Sequence, residues 1–284
     1  MRLLEQFGVC DCHSHVFGPF ASFPLSPVRT FDPPESPIEN LETVWESVGI
    51  DRTILIQGSA HGEDHTALMA AIERSPKTRR GVALLSSDVS DETLTKLEGS
   101  GIRAVRFNWI RHLLGRDSRP EQERLNDAAK LLTRISRLGW HVEVHIDIAD
   151  LDLLTRLAVP RGMAVVIDHM ARIDVSASDS VAQLARLLRV LELDSFWVKI
   201  SGADRLTLNC EDLKAAVKPM RRILEVVPDR CIWGLDWPHV NLARKRPDSE
   251  LADLLHDLAG DRETLERILI HNPARLYGFD LESS

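Results

Sequence analysis

Two patterns of apolar residues alternate along the chain. Short runs rich in Val, Ile and Leu recur, separated by longer stretches whose apolar positions repeat every three or four residues. The first pattern is that of strands buried on both faces, the second that of helices with one buried stripe. Strands are predicted at 9–13, 53–57, 81–85, 104–108, 141–146, 164–169, 197–201 and 231–236. Helices are predicted near 41–48, 63–74, 91–98, 121–138, 150–158, 181–192 and 211–226, with two more near 248–258 and 261–271. The stretch "SRLGWHVEVH" shows the transition: Gly139 ends a helix and an alternating strand follows. Eight strands, mostly followed by helices, predict an α/β protein of the (β/α)8 TIM-barrel type, with residues 1–284 as one domain. A doubly wound open sheet is the alternative, but no G-x-G-x-x-G follows any strand.

One region breaks the pattern. Between residues 17 and 37 the chain carries six of its 14 prolines, with Phe residues spaced through it. Proline fixes φ and removes a donor, so this segment is expected to be a loop, either a lid over the barrel mouth or an arm packing on a neighbouring subunit of a homo-oligomer.

The 284 residues are 44% hydrophobic and 27% charged, with a net charge of −8, which fits a large core in an acidic protein. With no basic block, nucleic acid is not an expected partner; with no apolar run of bilayer length, neither is a membrane. The N-terminus lacks the apolar core of a signal peptide, so the expected location is cytoplasmic, and Cys10, Cys12, Cys210 and Cys231 are expected as free thiols.

In a TIM barrel the reactive residues gather at the C-terminal ends of the strands. Here those ends read His13-Ser14-His15 on strand 1, Ser59 and His61 after strand 2, and Arg106 with Asn108 on strand 4. Strand 5 ends in His145, strand 6 in His169 and strand 8 in Asp236. Ionisable side chains ending several separate strands point to one active site. Strict alternation puts Asp11, His13 and His15 on one face and turns Cys10 and Cys12 outward towards the helices. Glu143 shares a face with His145 and is expected as a buried ion-pair partner. Neutral imidazoles and a carboxylate suit a divalent metal, zinc first. His13 and His15, with His145 or His169 and with Asp236, make a plausible mononuclear site.

Four segments, "DCHSHVFGP", "VIDHMAR", "IWGLDWPH" and "HNPARLYGF", resemble the amidohydrolase superfamily, in particular its branch containing the 2-pyrone-4,6-dicarboxylate lactonases. The likeness runs from about Asp11 to Phe279. It implies an amidohydrolase-like barrel that hydrolyses an acidic lactone, with Asp236 as the base that activates water and His13, His15 and His169 around it. It also implies Arg106, Arg172 and Arg205 as binders of substrate carboxylates. Ser59, His145 and His112 complete the expected substrate contacts. The resemblance also implies His13, His15, His145 and Asp236 as ligands of a zinc ion, with a metal-free site as the alternative. The sequence departs from the pyrone lactonases at His112, where they have arginine, and at His145, where they have tyrosine. The expected substrate is therefore a small anionic lactone: 2-pyrone-4,6-dicarboxylate, a substituted muconolactone or an aldaric lactone. A metal-dependent decarboxylase of an aromatic or muconate-type acid and a sugar-diacid lactone isomerase are the competing readings.

Overall fold

The computed structural model describes residues 3–4, 7–110, 119–207, 212–242 and 245–281. His112 and Cys210 lie outside the described residues. Eight parallel strands follow one another in space in chain order: β1 (Cys10–Ser14), β2 (Arg52–Ile56), β3 (Arg79–Ala83), β4 (Ile102–Asn108), β5 (His141–His145), β6 (Val165–Ile167), β7 (Phe196–Lys199) and β8 (Cys231–Ile232). Beyond β8 the chain continues beside β1. Cys12 N–H donates to Trp233 O at 2.8 Å, Asp236 N–H to His13 O at 2.7 Å and His15 N–H to Trp237 O at 2.8 Å, which closes the sheet into a barrel. Each of the eight predicted strands overlaps one of these.

Helices cover the outside. In α1 (Ile38–Val48) the buried positions are Ile38, Leu41, Trp45 and Val48, and Gly49 ends the helix at φ 78°. The same logic carries α2 (Thr66–Glu73), α3 (Asp91–Gly99) and α4 (Glu121–Ile135). Next come α5 (Asp152–Arg156), α6 (Ser180–Leu191), the short α7 (Ala203–Leu206) and α8 (Val217–Val226). The chain finishes with α9 (Asp248–Ala259), α10 (Arg262–Glu266) and α11 (Asn272–Tyr277). Among the described residues no helix is long and apolar enough to cross a membrane.

Two apolar clusters result. The larger joins the helices to outward strand residues such as Leu55, Val105, Val144 and Ile167. The smaller gathers Cys10, Cys12, Ile54, Ile56, Val82, Ala104, Val166 and Ile232 with Ala274, Tyr277 and Phe279, and fills the lumen from below.

The cysteines therefore point inward, opposite to the alternation argument. The cause is a bulge. Asp11 pairs with Thr53 and Ser14 with Leu55, so three steps on β1 match two on β2. The extra residue resets the faces. Cys10 and Cys12 face the lumen, His13 and His15 still face the mouth, and Asp11 faces α1. There Asp11 accepts from Trp45 Nε1 at 3.1 Å, His13 N at 3.0 Å and Leu235 N at 2.9 Å. It fastens β1, α1 and the segment after β8 together. Gly234 permits this closure, because a Cβ there would sit 2.4 Å from His13 N.

Candidate active site

The strand ends converge on one carboxylate. Asp236 Oδ1 lies 3.7 Å from His13 Nε2, 3.8 Å from His15 Nε2 and 3.8 Å from His169 Nε2. Its other oxygen, Oδ2, accepts a short hydrogen bond from Arg205 Nε, and Arg205 Nη2 donates to Val240 O at 3.1 Å. His15, Arg106, His145, His169, Arg172, Arg205, Ser59 and Asp236 line a cleft at the barrel mouth. His13 sits beneath it, its ring 4.5 Å from His169 and 5.0 Å from His15. The sequence-predicted residues within the described chain thus meet in one place.

Backbone conformations that side chains rarely adopt hold several of them. His169, Met170, Ala171 and Arg172 all have φ near +50°, and Asp236 has φ 64°. A left-handed non-glycine residue costs about 1–2 kcal/mol, and such strain gathers where function requires a fixed orientation. The turn lifts His169 and Arg172 to the mouth directly after β6. Gly202 leaves room for it: a Cβ there would lie 3.1 Å from His169 Nδ1. Ser201 Oγ meets that Nδ1 at 2.9 Å.

The proline-rich segment covers one side of the cleft. Phe17 and Phe31 line it, Phe17 stacks on His61 at 5.9 Å, and Ser26 N–H bonds Ala60 O at 2.8 Å. Gly58 is needed beneath Phe17, since a Cβ would come within 2.3 Å of its ring.

Below the histidines lies a charged layer of which the sequence argument picked out only Arg106 and Glu143. Lys199, fully buried, donates to Glu143 Oε2 at 2.5 Å and lies 3.2 Å from Asp168 Oδ1. Asp168 Oδ2 accepts from Arg106 Nε at 2.7 Å, and Tyr277 Oη–H donates to Glu143 Oε1 at 2.6 Å. Glu143 is an ion-pair partner, as expected, but Arg106 is held by Asp168. The signal available in the sequence was a lone charge inside each apolar run, Lys in "FWVKIS" and Asp in "VVIDHM".

Electrostatics leave the imidazoles neutral and Asp236 charged. Burial lowers the His15 and His169 pKa values to about 4, and burial together with the Lys199 charge holds His13 well below its usual value. Burial and the Arg106 charge do the same to His145. For Asp236, burial pushes the pKa up, but Arg205 and the surrounding histidines outweigh it and keep the carboxyl well below its usual range. Arg172 stands 3.5 Å from Asp147.

This arrangement predicts a pH effect on stability. Unfolded His15 and His169 titrate near 6.5 and the folded forms near 4, so between those values the unfolded chain binds more protons. In the metal-free protein stability is full above about pH 6.5 and falls as pH drops towards 4. Thermal melts across this range should show the loss, with a shallower slope in His169→Gln.

The donor atoms of His13, His169 and Asp236 lie within 4.8 Å of one another and could hold a metal ion. His13 Nε2 and both ring nitrogens of His145 are buried with no hydrogen-bond partner among the described residues. This group differs from the expected quartet: it takes in His169 and leaves out His15 and His145.

The mouth of this parallel eight-stranded barrel gathers histidines from strands 1, 5 and 6 with an aspartate after strand 8, an arrangement suited to activating water. Residues 10–279 match the amidohydrolase family model, and the chain belongs to the amidohydrolase family. It is 35% identical over 280 residues to the 2-pyrone-4,6-dicarboxylate hydrolase of Comamonas testosteroni, covering 95% of this chain and 90% of that protein. It is 30% identical over 285 residues to the 4-sulfomuconolactone hydrolase of Hydrogenophaga intermedia, covering 98% and 91%. A solved structure from Pseudomonas putida, assigned provisionally as a 2-pyrone-4,6-dicarboxylic acid hydrolase, superposes with a TM-score of 0.82 at 29% identity, covering 98% of this chain and all of that one.

Proposed function

We propose that this protein is a lactonase that opens a carboxylated or sulfonated lactone with water. The observation that carries this reading is the single aspartate oxygen ringed by three neutral imidazoles beneath a cleft lined by three arginines. The two curated relatives, hydrolases of a pyrone dicarboxylate and a sulfomuconolactone, support the acidic lactone as substrate class.

The residues divide the work as follows. Asp236 Oδ1 takes a proton from water, since Oδ2 is occupied by Arg205. The ion pair keeps the base ionised over the working pH range while reducing its basicity. Water oxygen bonds to the lactone carbonyl carbon, and the imidazole N–H groups stabilise the oxyanion. The ring C–O bond then breaks, and Asp236 returns the proton to the leaving oxygen. Arg106 and Arg172 face the acidic groups of the substrate, because planar guanidinium matches carboxylate and sulfonate in a way lysine does not. Ser59 and His145 supply further polar contacts, and both nitrogens of His145 are available for them.

A divalent ion, zinc by the donor types, fits the cluster by distance. His13, His169 and Asp236 would hold it. It would supply Lewis-acid polarisation of the carbonyl.

Product analysis tests the reaction class. Hydrolysis in H2(18)O places one solvent oxygen in the new carboxylate and releases no CO2. Release of CO2 would reassign the protein as a decarboxylase, and a rearranged lactone without solvent oxygen would make it an isomerase.

A further inference from the structure

We propose that Lys199 is a positioning residue that fixes His13 with its ring proton on Nε2, so that the two histidines of the strand 1 pair face the cleft with opposite polarity. Three distances place the lysine. Lys199 Nζ lies 2.5 Å from Glu143 Oε2, 3.1 Å from His13 Nδ1 and 3.2 Å from Asp168 Oδ1. An ammonium group has three donors and no acceptor; here Glu143 and His13 lie within hydrogen-bond reach, with Asp168 beside them as an ion-pair partner.

The charge of Lys199 follows from its neighbours. Glu143 already accepts from Tyr277, and Asp168 from Arg106. Both carboxylates act as anions. In a fully buried layer, Arg106 and Lys199 balance Glu143 and Asp168 only if the lysine is protonated. The lysine therefore donates to His13 Nδ1 at 3.1 Å, nearer than Asp168 Oδ1, which lies 3.5 Å from the same nitrogen and makes no hydrogen bond. That nitrogen carries the lone pair, and the single proton of the neutral ring sits on Nε2. This is the His13 atom without a partner among the described residues, aimed at the cleft and 3.7 Å from Asp236 Oδ1.

His15 is set the other way. Its Nδ1 meets the carbonyl oxygen of Ile56 at 2.9 Å. A carbonyl only accepts, so Nδ1 carries the proton and Nε2 presents a lone pair. Two imidazoles that the sequence writes as an equivalent H-x-H thus become one donor and one acceptor. On the lactonase reading, His13 is the N–H that meets the oxyanion. A metal ion on His13 Nε2 would first have to displace that proton, whereas His15 presents no such obstacle.

The test is a long-range 1H–15N spectrum of the full-length, metal-free protein labelled with 15N-histidine at neutral pH. The signals of the pair are assigned by their loss in His13→Gln and His15→Gln. The proposal predicts Nε2–H for His13 and Nδ1–H for His15. A His13 ring protonated on Nδ1 would overturn it. In Lys199→Met the His13 preference should be lost, and kcat should fall roughly 10²–10³-fold, the usual effect of losing one oxyanion donor, with KM little changed. An unchanged His13 tautomer in that variant would also overturn the proposal. If Lys199→Met does not fold, the wild-type spectrum alone decides. The spectrum does not depend on turnover of any lactone, so it separates this proposal from the hydrolase reading on which only the role of the proton rests.

Discussion

Asp236→Asn is expected to lower kcat by roughly 10²–10⁴-fold, the range for removing a positioned general base, while substrate still binds. The amide nearly matches the carboxylate in shape, so the three imidazoles keep their neighbour at the convergence point. What is lost is the atom that takes the proton. The substitution also removes the counter-charge of Arg205, a nearly buried guanidinium. An acidic substrate can then pair with that arginine, so affinity should hold or rise even as turnover collapses. Single-turnover kinetics and equilibrium binding, measured on the same preparation, check both halves. Near-normal kcat would remove Asp236 from the role of base.

The second large effect is on stability. Glu143→Leu should destabilise the fold by about 3–5 kcal/mol, the usual cost of breaking a buried ion pair from one side. Glu143 joins Lys199 to Tyr277 across the barrel floor, and all three are fully buried. Leucine leaves the tyrosine hydroxyl without its acceptor and the ammonium with one fewer carboxylate. Urea unfolding monitored by tryptophan fluorescence measures the loss. A change below about 1 kcal/mol, the scale of an exposed pair, would show that the layer is not the buried network described.

The sequence carried the architecture well because each strand is a short apolar run bounded by turn residues. Even the break at Gly139 is where the left-handed glycine lies, at φ 69°. The convergence of His13, His15, His145, His169, Arg106, Arg205 and Asp236 was legible because a barrel brings strand ends together whatever the details of packing. Three features were not legible, each for a physical reason. The bulge in β1 reverses the cysteines, and nothing in "VCDCHSH" marks an extra residue until its partner strand is known. The left-handed turn at His169–Arg172 contains no glycine, so the usual signal for positive φ is absent. Lys199 and Asp168 read as strand residues, and their pairing depends on which strands face each other across the lumen. Arg106 and Arg205 illustrate the same gap. They were expected to meet substrate carboxylates, and their internal partners, Asp168 and Asp236, became visible only in three dimensions.

The most direct test of the lactonase reading is proton release, followed with a pH indicator, over a panel of carboxylated and sulfonated lactones that includes 2-pyrone-4,6-dicarboxylate, muconolactones and aldaric lactones. The account predicts rapid acidification with at least one member and none with Asp236→Asn. Silence across the whole panel from folded protein, with and without added zinc, would contradict it.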